Sequence, residues 1–426
     1  MSQGGSQGGI WRYENRLILI LMFAFGVVFL DRNAYGYLAP FIMPELGMSN
    51  TQHGFIISGL SLTWAASAFL IGVLSDASGK RKVILIACMV VFSLCSVFSG
   101  LAGSFLALIL ARTLMGLSEG GMHPIVQSLV VLESSEERRG VNMGVTQNVG
   151  SQIVGTITAP ILLVWVAEQF DWRTAFFLAA VPGLVMALIV WKFVREPKVH
   201  ALNPLVRDEA PDGRGRESFF HILGKVYTAR NIWLCSIISV FMVAWMVLGW
   251  SFMPVFFTEA RGIAPQYMSY LVSAPGFVAI VAAFLVPALS DRIGRRPVVI
   301  AFCFVALLTP LGALYLAENI WLMGVVVCIG WSASGIFPIF MATIPSETLP
   351  VAYLSTSIGV IVGIGEALGG VLSPIVAGGA GDAYGLDSTM WIMALCALVS
   401  GMAALFVVET APVKLRKLAA RQQPAE

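Results

Sequence analysis

The feature that most constrains the fold is a series of long apolar runs that continues along nearly all of the 426 residues. Hydrophobic residues make up 58% of the sequence and charged residues only 12%, about half the charged share of a soluble domain. This much apolar surface cannot be buried inside a water-soluble body, so it must face lipid. Because lipid offers no hydrogen-bond partner to an open backbone group, each run is predicted to be a helix.

Twelve of the runs are long enough to cross a bilayer. Their predicted bounds are 16–39, 52–75, 83–103, 105–132, 139–167, 173–195, 231–258, 266–290, 298–317, 320–345, 351–378 and 387–409. The first run is longer than the apolar core of a signal peptide and has no small-residue cleavage site, so we expect it to be retained. The six cysteines all lie in apolar runs without metal-ligand spacing, so we expect neither disulfides nor a metal site.

The longest polar interruption, 196–230, divides the helices six and six. The predicted organisation is a tail at 1–15, a six-helix bundle at 16–195, a linker at 196–230, a second six-helix bundle at 231–410 and a tail at 411–426.

Lys and Arg are distributed unevenly between the two sides of the predicted membrane. Outside the helices, only Arg173 and Arg261 lie on one side, and the other basic residues lie in the tails, the linker and alternate loops such as 80–82. The positive-inside rule therefore predicts that both tails and the linker are cytoplasmic. We expect a monomeric, multi-pass protein of the cell membrane, in a bacterium the inner membrane.

The two halves of the chain repeat one another. GLSEGGMHP (116–124) corresponds to GWSASGIFP (330–338) at an offset of 214 residues, and SDASGKR (75–81) corresponds to SDRIGRR (290–296) at 215. Six helices return the chain to its starting side, so the two copies are parallel. Two such halves around a site at mid-membrane are typical of secondary transporters.

Five charged residues lie clearly inside the predicted helices, away from the helix ends: Asp31, Arg32, Arg112, Glu119 and Glu366. Each costs about 2.5–3.5 kcal/mol at the bilayer centre, so they are expected to serve function. Four of them lie in the first half, and Glu119 corresponds to Ala333 in the second. Packing at that position therefore does not require a carboxylate, which points to chemistry in the charged half.

GVLSDASGKRK (72–82) and its second-half counterpart resemble the G-x-x-x-D-x-x-G-[RK]-[RK] loop of the major facilitator superfamily. RTLMG (112–116) resembles the R-x-x-x-G of its fourth helix, and the Asp31-Arg32 pair resembles the anion:cation symporter branch. The resemblance implies an all-α integral membrane protein with twelve transmembrane helices in two pseudo-symmetric six-helix bundles. It also implies transport by alternating access. His123 departs from the branch, which usually has Phe there.

If the first and fourth helices pack together, as the resemblance implies, two arginines and two carboxylates meet in one cavity. We expect Arg32 and Arg112 to bind the carboxylate of a small organic anion, and Asp31 and Glu119 to take up protons. An anion that occupies the arginines makes protonation of the acids easier. Anion and proton then bind with positive coupling, which proton symport requires.

Five further residues are candidates for binding the substrate in this predicted cavity. They are Tyr35, one turn after Asp31; Asn148 and Gln152 in the fifth helix, where the branch places a substrate-binding Gln; Trp331, in an aromatic wall; and Glu366, opposite Gln152 in the repeat. The aromatic wall favours a carboxylate with an apolar or aromatic side, and a sugar acid stays open as an alternative.

A second set of residues is expected to form a cytoplasmic gate rather than to bind substrate. The set comprises Asp76, Gly79, Arg81 and Glu133 in the first half and Asp291, Gly294, Arg296 and Glu347 in the second. We expect Arg81 to pair with Glu133, and Arg296 with Glu347, when the cytoplasmic side is closed. His53 is expected in an external loop.

Several alternatives remain open from the residues. The charges could be a structural ion-pair network, and sodium could replace the proton. A proton-coupled exporter of drugs or metabolites usually carries a G-P-x-x-G-G element where this chain has GSQIVGTITAP (150–160). A sensor would need a larger cytoplasmic part. The sequence has no phosphate loop, Ser-His-Asp arrangement or metal cluster, so we expect no enzyme activity, no cofactor, no metal and no nucleic-acid partner.

Overall fold

The computed structural model describes residues 13–135, 138–197, 224, 228–350 and 353–414, without the side chains of Val73, Asp76, Ala77 and Ser355. Nearly all of the predicted linker at 196–230, most of the N-terminal tail and most of the C-terminal tail lie outside these residues. The predicted division into two bundles and three polar segments therefore stays a prediction.

Within the described residues every regular element is helical, and twelve are long and apolar enough to cross a membrane. The predicted all-α architecture with twelve membrane-spanning helices is confirmed. The helices are α1 Tyr13–Leu46, α2 Asn50–Ser78, α3 Arg81–Gly100, α4 Phe105–Glu133, α5 Arg139–Gln169, α6 Trp172–Phe193, α7 Arg230–Ala260, α8 Pro265–Ile293, α9 Arg295–Tyr315, α10 Ile320–Thr348, α11 Thr356–Tyr384 and α12 Asp387–Ala404.

Short polar residues fix where several helices begin and end. The Ser49 hydroxyl accepts from Gln52 N at 3.2 Å, and the Gln52 side chain accepts from Ser49 N at 3.1 Å, which is a capping box at the start of α2. Asp171 caps the start of α6 by accepting from Thr174 N at 2.6 Å, and this hydrogen bond lowers the pKa of Asp171. At the other end of α2, Gly79 takes a φ of 65°, a left-handed conformation that glycine adopts without strain.

The first helix begins and the last described residues lie at the same end of the helix bundle, which we call the terminal end. There the Tyr13 hydroxyl accepts from Arg195 N at 2.9 Å, and the Glu409 carboxylate accepts from Arg295 N at 2.8 Å. The opposite end, which we call the far end, carries the start of α2 and the ion pair between Arg173 and Glu45 at 2.6 Å. The two ends differ in how the halves of the chain meet.

The first half (13–197) and the second half (228–414) are in close contact toward the far end. There α2 lies along α11, α5 along α8 and α1 along α7. Ser58 donates its hydroxyl to Val371 O at 2.6 Å, and the Asp382 carboxylate accepts from Asn50 N at 2.8 Å and from Thr51 N at 2.9 Å. Asp382 in α11 thus caps the N-terminus of α2 in the other half.

Toward the terminal end the same helices separate. A Cβ added to Gly144 in α5 or to Gly359 in α11 would meet no other atom within 4 Å. Among the described residues, the hydrogen bonds that join the two halves lie toward the far end. The structure is therefore closed at the far end and open at the terminal end.

Gly378 of α11 permits the closest approach to α2, because a Cβ there would overlap the backbone carbonyl of Asn50. We predict that Gly378→Val keeps the far end from closing. Cysteines at positions 50 and 381 report closure, since a Cβ at Gly381 would lie 3.3 Å from that of Asn50, close to disulfide geometry. We expect the disulfide yield of this pair to fall severalfold in Gly378→Val.

Gly379→Val is the matched control, because a Cβ at Gly379 would come no nearer than 4.0 Å to the Thr51 hydroxyl. Its disulfide yield should equal that of the parent pair. Equal yields in the two valine variants would contradict the packing argument.

Candidate functional site

Helices α1 and α4 bring the charged residues of the first half together in the interior. The exposed fraction is 0% for Asp31, 0% for Arg112 and 1% for Glu119. Arg112 Nη1 donates to the backbone oxygen of Asp31 at 2.9 Å, and the Ser96 hydroxyl of α3 donates to Asp31 Oδ1. The charged side chains thus lie inside the bundle and not against lipid.

The Arg112 guanidinium lies between two aromatic rings, with its Cζ 4.7 Å from the ring centre of Phe176 and 5.7 Å from that of Tyr35. Such contacts attract a cation to the face of the ring. Two of its nitrogens, Nε and Nη2, have no hydrogen-bond partner within the described part of the chain. A buried guanidinium that keeps two donors unused can bind a carboxylate through both of them.

The buried carboxyl groups also have unused oxygens. Neither oxygen of Glu119 nor Asp31 Oδ2 has a hydrogen-bond partner among the described residues. Asp31, Arg32 and Arg112 lie close enough for their charges to act on Glu119. A buried carboxyl group in this position responds to any change in the charge of its neighbours, so it can take up or release a proton when an anion arrives.

Arg32 lies at the boundary between the halves. Its guanidinium stacks over the ring of Trp64 at 4.7 Å, and it makes no hydrogen bond or ion pair with another described side chain. Its charge acts on Glu119 and His123 of the first half and on Glu366 of the second. The charge of Arg32 therefore acts on ionisable side chains of both halves.

A cavity lies between α1, α2, α4 and α7, and both arginines reach it. Its polar wall contains Arg32, Arg112 and Tyr35, and its apolar wall contains Ile56, Ile57, Leu60 and Val247. Ser251 and Trp250 close it from the second half. The structure thus brings together three of the predicted substrate-binding residues.

Trp331 lies beside this cavity and not in its wall. Its ring packs against Trp245 with centroids 4.9 Å apart, and it lines a neighbouring cavity with Tyr37 and Trp250. Trp250 is the residue shared by both cavities. The aromatic wall expected from the second half therefore reaches the arginines through Trp250.

Gln152 and Glu366 occupy equivalent places in the two halves. Each is the second residue of a π-helical segment, Ser151–Thr158 in α5 and Gly365–Leu372 in α11, and the two segments are 214 residues apart. π-helical turns often occur at functional sites. Gln152 Oε1 is buried and has no partner among the described residues, whereas Asn148 lies in another π-helical segment, Val145–Val149, and is exposed.

His123 lies one turn after Glu119. Its Nε2 is 2.7 Å from the side-chain nitrogen of Gln127, and its ring packs against Phe25 and Trp64. No group of three His, Cys, Asp or Glu residues in the described chain could hold a metal ion. His123 thus belongs to an aromatic surrounding that also contains Arg32.

At the terminal end Glu347 pairs with Arg295, whose Nη2 is 2.9 Å from Glu347 Oε1, and Arg295 also pairs with Asp291. Arg295 was not among the predicted gate residues. Its neighbour Arg296 instead donates to Leu405 O at 2.7 Å. Gly294, with a φ of 111°, makes the turn that precedes both arginines.

In the first half Arg81 Nε donates to the Ser128 hydroxyl at 3.1 Å. Glu133 is the last residue of α4, and the side chain of Asp76 lies outside the description. The pairs Arg81–Glu133 and Arg296–Glu347 were expected for a closed terminal end, which is not the conformation seen, so they stay predictions.

Two residues that matter for closure were missed. The expectation that His53 lies in an external loop is wrong, because His53 is in the first turn of α2 and is fully buried. Asp382 caps α2 from the other half. No local sequence pattern predicts either contact, because the two residues of each contact lie far apart in the sequence.

Comparisons with known proteins give consistent results. The family model of the Major Facilitator Superfamily matches residues 21–365 and 248–426. The chain is 31% identical over 287 residues to a hexuronate transporter of Bacillus subtilis, covering 66% of this chain and 65% of that one. It therefore spans slightly less than two thirds of that relative.

A probable 4-methylmuconolactone transporter of Cupriavidus pinatubonensis is 26% identical over 346 residues, which cover 80% of this chain and 77% of that one. Among solved structures, an inward-facing bacterial homologue of the human lysosomal transporter Spinster superposes with a TM-score of 0.73 at 19% identity. The match covers 99% of this chain and 100% of that one. It shows that the fold is shared.

The contact between Ser96 and Asp31 predicts a specific loss of stability. Ser96→Ala removes a donor from a fully buried carboxyl group, so we expect the free energy of unfolding to fall by about 1–3 kcal/mol. Denaturant titration of the protein in detergent micelles measures this. Ser99→Ala is the control, because the Ser99 hydroxyl donates only to Cys95 O within α3; an equal loss in both variants would argue against the contact.

Proposed function

The chain belongs to the Major Facilitator Superfamily, and on this basis we propose that it imports a small organic anion together with protons by alternating access. Membership makes it a multi-pass membrane transporter and not an enzyme. The expectations of fold, family and transport are thereby confirmed. The anion, the coupling ion and the direction are the subject of the proposal.

The observation that carries the proposal is the state of Arg112. Its guanidinium is fully buried, is positioned by the Asp31 carbonyl and two rings, and keeps two donors unused next to a cavity. Arg32 lines the same cavity from α1. A carboxylate of a substrate can accept from both guanidinium groups, which satisfies its lone pairs and the unused donors together.

Relatives named for hexuronate and 4-methylmuconolactone support an organic anion as the substrate class. The apolar wall of Ile56, Leu60 and Val247 and the indole of Trp250 favour an anion with an apolar or aromatic side. Asn33 and Ser61 also line the cavity, and Asn33 Nδ2 and Trp250 Nε1 are buried without a hydrogen-bond partner among the described residues, so a sugar acid is the second candidate.

Coupling to protons follows from Asp31 and Glu119. Without substrate, the positive charges of Arg32 and Arg112 act on Glu119, and Arg112 also acts on Asp31. A bound anion offsets these positive charges, so the carboxyl groups accept protons more readily when the site is loaded. Loaded and empty sites then carry similar net charge, which keeps the cost of burying them in the apolar interior low.

We propose that the terminal end faces the cytoplasm, which the uneven distribution of Lys and Arg supports. In this orientation the described conformation is closed to the outside and open to the cytoplasm, in which substrate is released. The opposite state requires closure of the terminal end. The proposed gate residues for this closure are Asp76, Gly79, Arg81, Glu133, Asp291, Gly294, Arg296 and Glu347.

In a bacterium the membrane with this orientation would be the inner membrane, and we propose a monomer as the transporting unit.

Replacement of Arg112 tests the substrate site. Arg112→Lys keeps the charge but loses the two parallel N–H donors, each worth about 1.5–3 kcal/mol to a charged acceptor, so we expect anion uptake to fall about tenfold or more. Purified wild-type protein is first screened by thermal shift against glucuronate, gluconate, succinate, benzoate and phenylacetate. The shift given by the best of these should disappear in Arg112→Lys.

Arg173→Lys is the matched control, because Arg173 pairs with Glu45 at the far end, outside the cavity. It should keep the thermal shift of the wild type. A full shift in Arg112→Lys would contradict the assignment of Arg112.

Replacement of Glu119 tests proton coupling. Glu119→Gln removes the exchangeable proton and keeps the shape, so we predict that proton-driven accumulation of the anion is lost while exchange of labelled for unlabelled anion continues. Accumulation and counterflow in proteoliposomes with an imposed pH gradient measure the two activities. Glu259→Gln, an exposed glutamate of α7, should change neither.

Undiminished uphill uptake in Glu119→Gln would refute this role. Accumulation that requires a sodium gradient and persists without a pH gradient would assign the coupling to sodium instead.

A further inference from the structure

His53 contacts the second half of the chain through one ring nitrogen and its own half through the other. Nε2 lies 3.0 Å from the backbone oxygen of Ser251 in α7, and Nδ1 lies 2.9 Å from the Tyr35 hydroxyl in α1. The side chain is fully buried, and its ring meets that of Phe252 edge to face at 4.8 Å. His53 is thus the middle of a contact chain that begins in the second half.

The chemistry of these two partners determines which nitrogen of the His53 ring carries the hydrogen. A backbone carbonyl only accepts, so His53 Nε2 must carry the hydrogen and donate to Ser251 O. In the neutral ring Nδ1 is then an acceptor, and the Tyr35 hydroxyl donates to it. Each nitrogen of the buried ring is satisfied, one by each half of the chain.

Tyr35 continues the chain to the arginine site. Its ring lies 5.7 Å from the Arg112 guanidinium, and both side chains line the cavity between the halves. The hydrogen bond to His53 therefore sets the position of the ring that packs on Arg112. One connected series, Ser251–His53–Tyr35–Arg112, runs from the closed far end to the substrate site.

We infer that His53 is a positioning residue that holds the far end closed through Ser251 and holds Tyr35 against Arg112 only while that end is closed. When the halves separate, Ser251 O leaves Nε2, the ring loses its fixed orientation, and Tyr35 is free to move away from Arg112. Opening of the far end and access to Arg112 are then one event. The relevance to transport rests on the proposed alternating access, but the contact chain can be tested without any substrate.

The two nitrogens can be separated by substitution. The terminal nitrogen of Gln takes the place of Nε2, so His53→Gln can still donate to Ser251 O. The side-chain oxygen of Asn takes the place of Nδ1, so His53→Asn can still accept from Tyr35 but cannot reach Ser251. His53→Gln should therefore retain closure, and His53→Asn should lose it.

Closure is measured by a cysteine at position 61. Ser61 lines the cavity and is buried in the closed state, so Ser61→Cys reacts with a membrane-impermeant maleimide from the far side only when that end opens. The parent chain carries Cys328→Ser, because Cys328 is the half-buried native cysteine among the otherwise buried ones. Right-side-out vesicles expose the far side under the proposed orientation.

We expect the labelling rate to rise about fivefold in His53→Asn, which corresponds to one lost hydrogen bond, and to stay within twofold of the parent in His53→Gln. Tyr35→Phe should also raise the rate, because the His53 ring loses the donor that orients it. Tyr37→Phe is its control, since the Tyr37 hydroxyl donates to Gly155 O inside the first half, and its rate should not change.

Equal rates in His53→Asn and His53→Gln would overturn the inference, because His53 would then only fill space. A rate in Tyr35→Phe equal to that in Tyr37→Phe would overturn the claim that the Tyr35 hydroxyl orients His53, and with it the series that continues to Arg112. Since no anion is added, a failure of the proposed transport leaves these results unaffected, and the reverse also holds.

Discussion

The structure depends on how the chain keeps an arginine inside an apolar bundle. A guanidinium at this depth is always charged, so its cost must be offset by contacts and not by loss of a proton. Arg112 has a backbone carbonyl, two aromatic faces and the negative charges of Asp31 and Glu119 around it. These partners come from α1, α4 and α6, which fixes how three helices of the first half pack. The offset is incomplete, and the proposed anion would accept from the unused donors Nε and Nη2.

Much of this could be predicted from residues alone. The twelve helices followed from the length of the apolar runs, because bilayer thickness sets that length. The meeting of Asp31, Arg112 and Glu119 followed from the cost of burying each charge alone, together with the packing of α1 on α4 that the family resemblance implies. Arg295 and not Arg296 binds Glu347 because neighbours on a helix point about 100° apart, and the loop before α9 sets that rotation. Sequence spacing does not determine it.

Contacts between the halves could not be predicted. His53 and Asp382 form hydrogen bonds with residues roughly 200 and 330 positions away in the sequence. Only the packed structure brings these partners together. The π-helical turns of α5 and α11 also have no evident signal in sequence. The segments Ser151–Thr158 and Gly365–Leu372 fall at equivalent positions in the repeat, but the side chains there, Gln152 and Glu366, differ in charge. The segment Val145–Val149 of α5 has no π-helical counterpart in α11, so the backbone symmetry is partial.

The cap that Asp382 provides for α2 has a consequence for the energy of the whole cycle. A helix start leaves backbone N–H groups without partners, and α2 takes partners for Asn50 and Thr51 from the opposite half of the chain. When the halves part, water must replace that carboxylate, and the first turn of α2 becomes prone to fraying. In the proposed alternating access, separation of the halves at the far end therefore costs free energy. This cost favours, in the protein without substrate, the conformation that is closed at the far end.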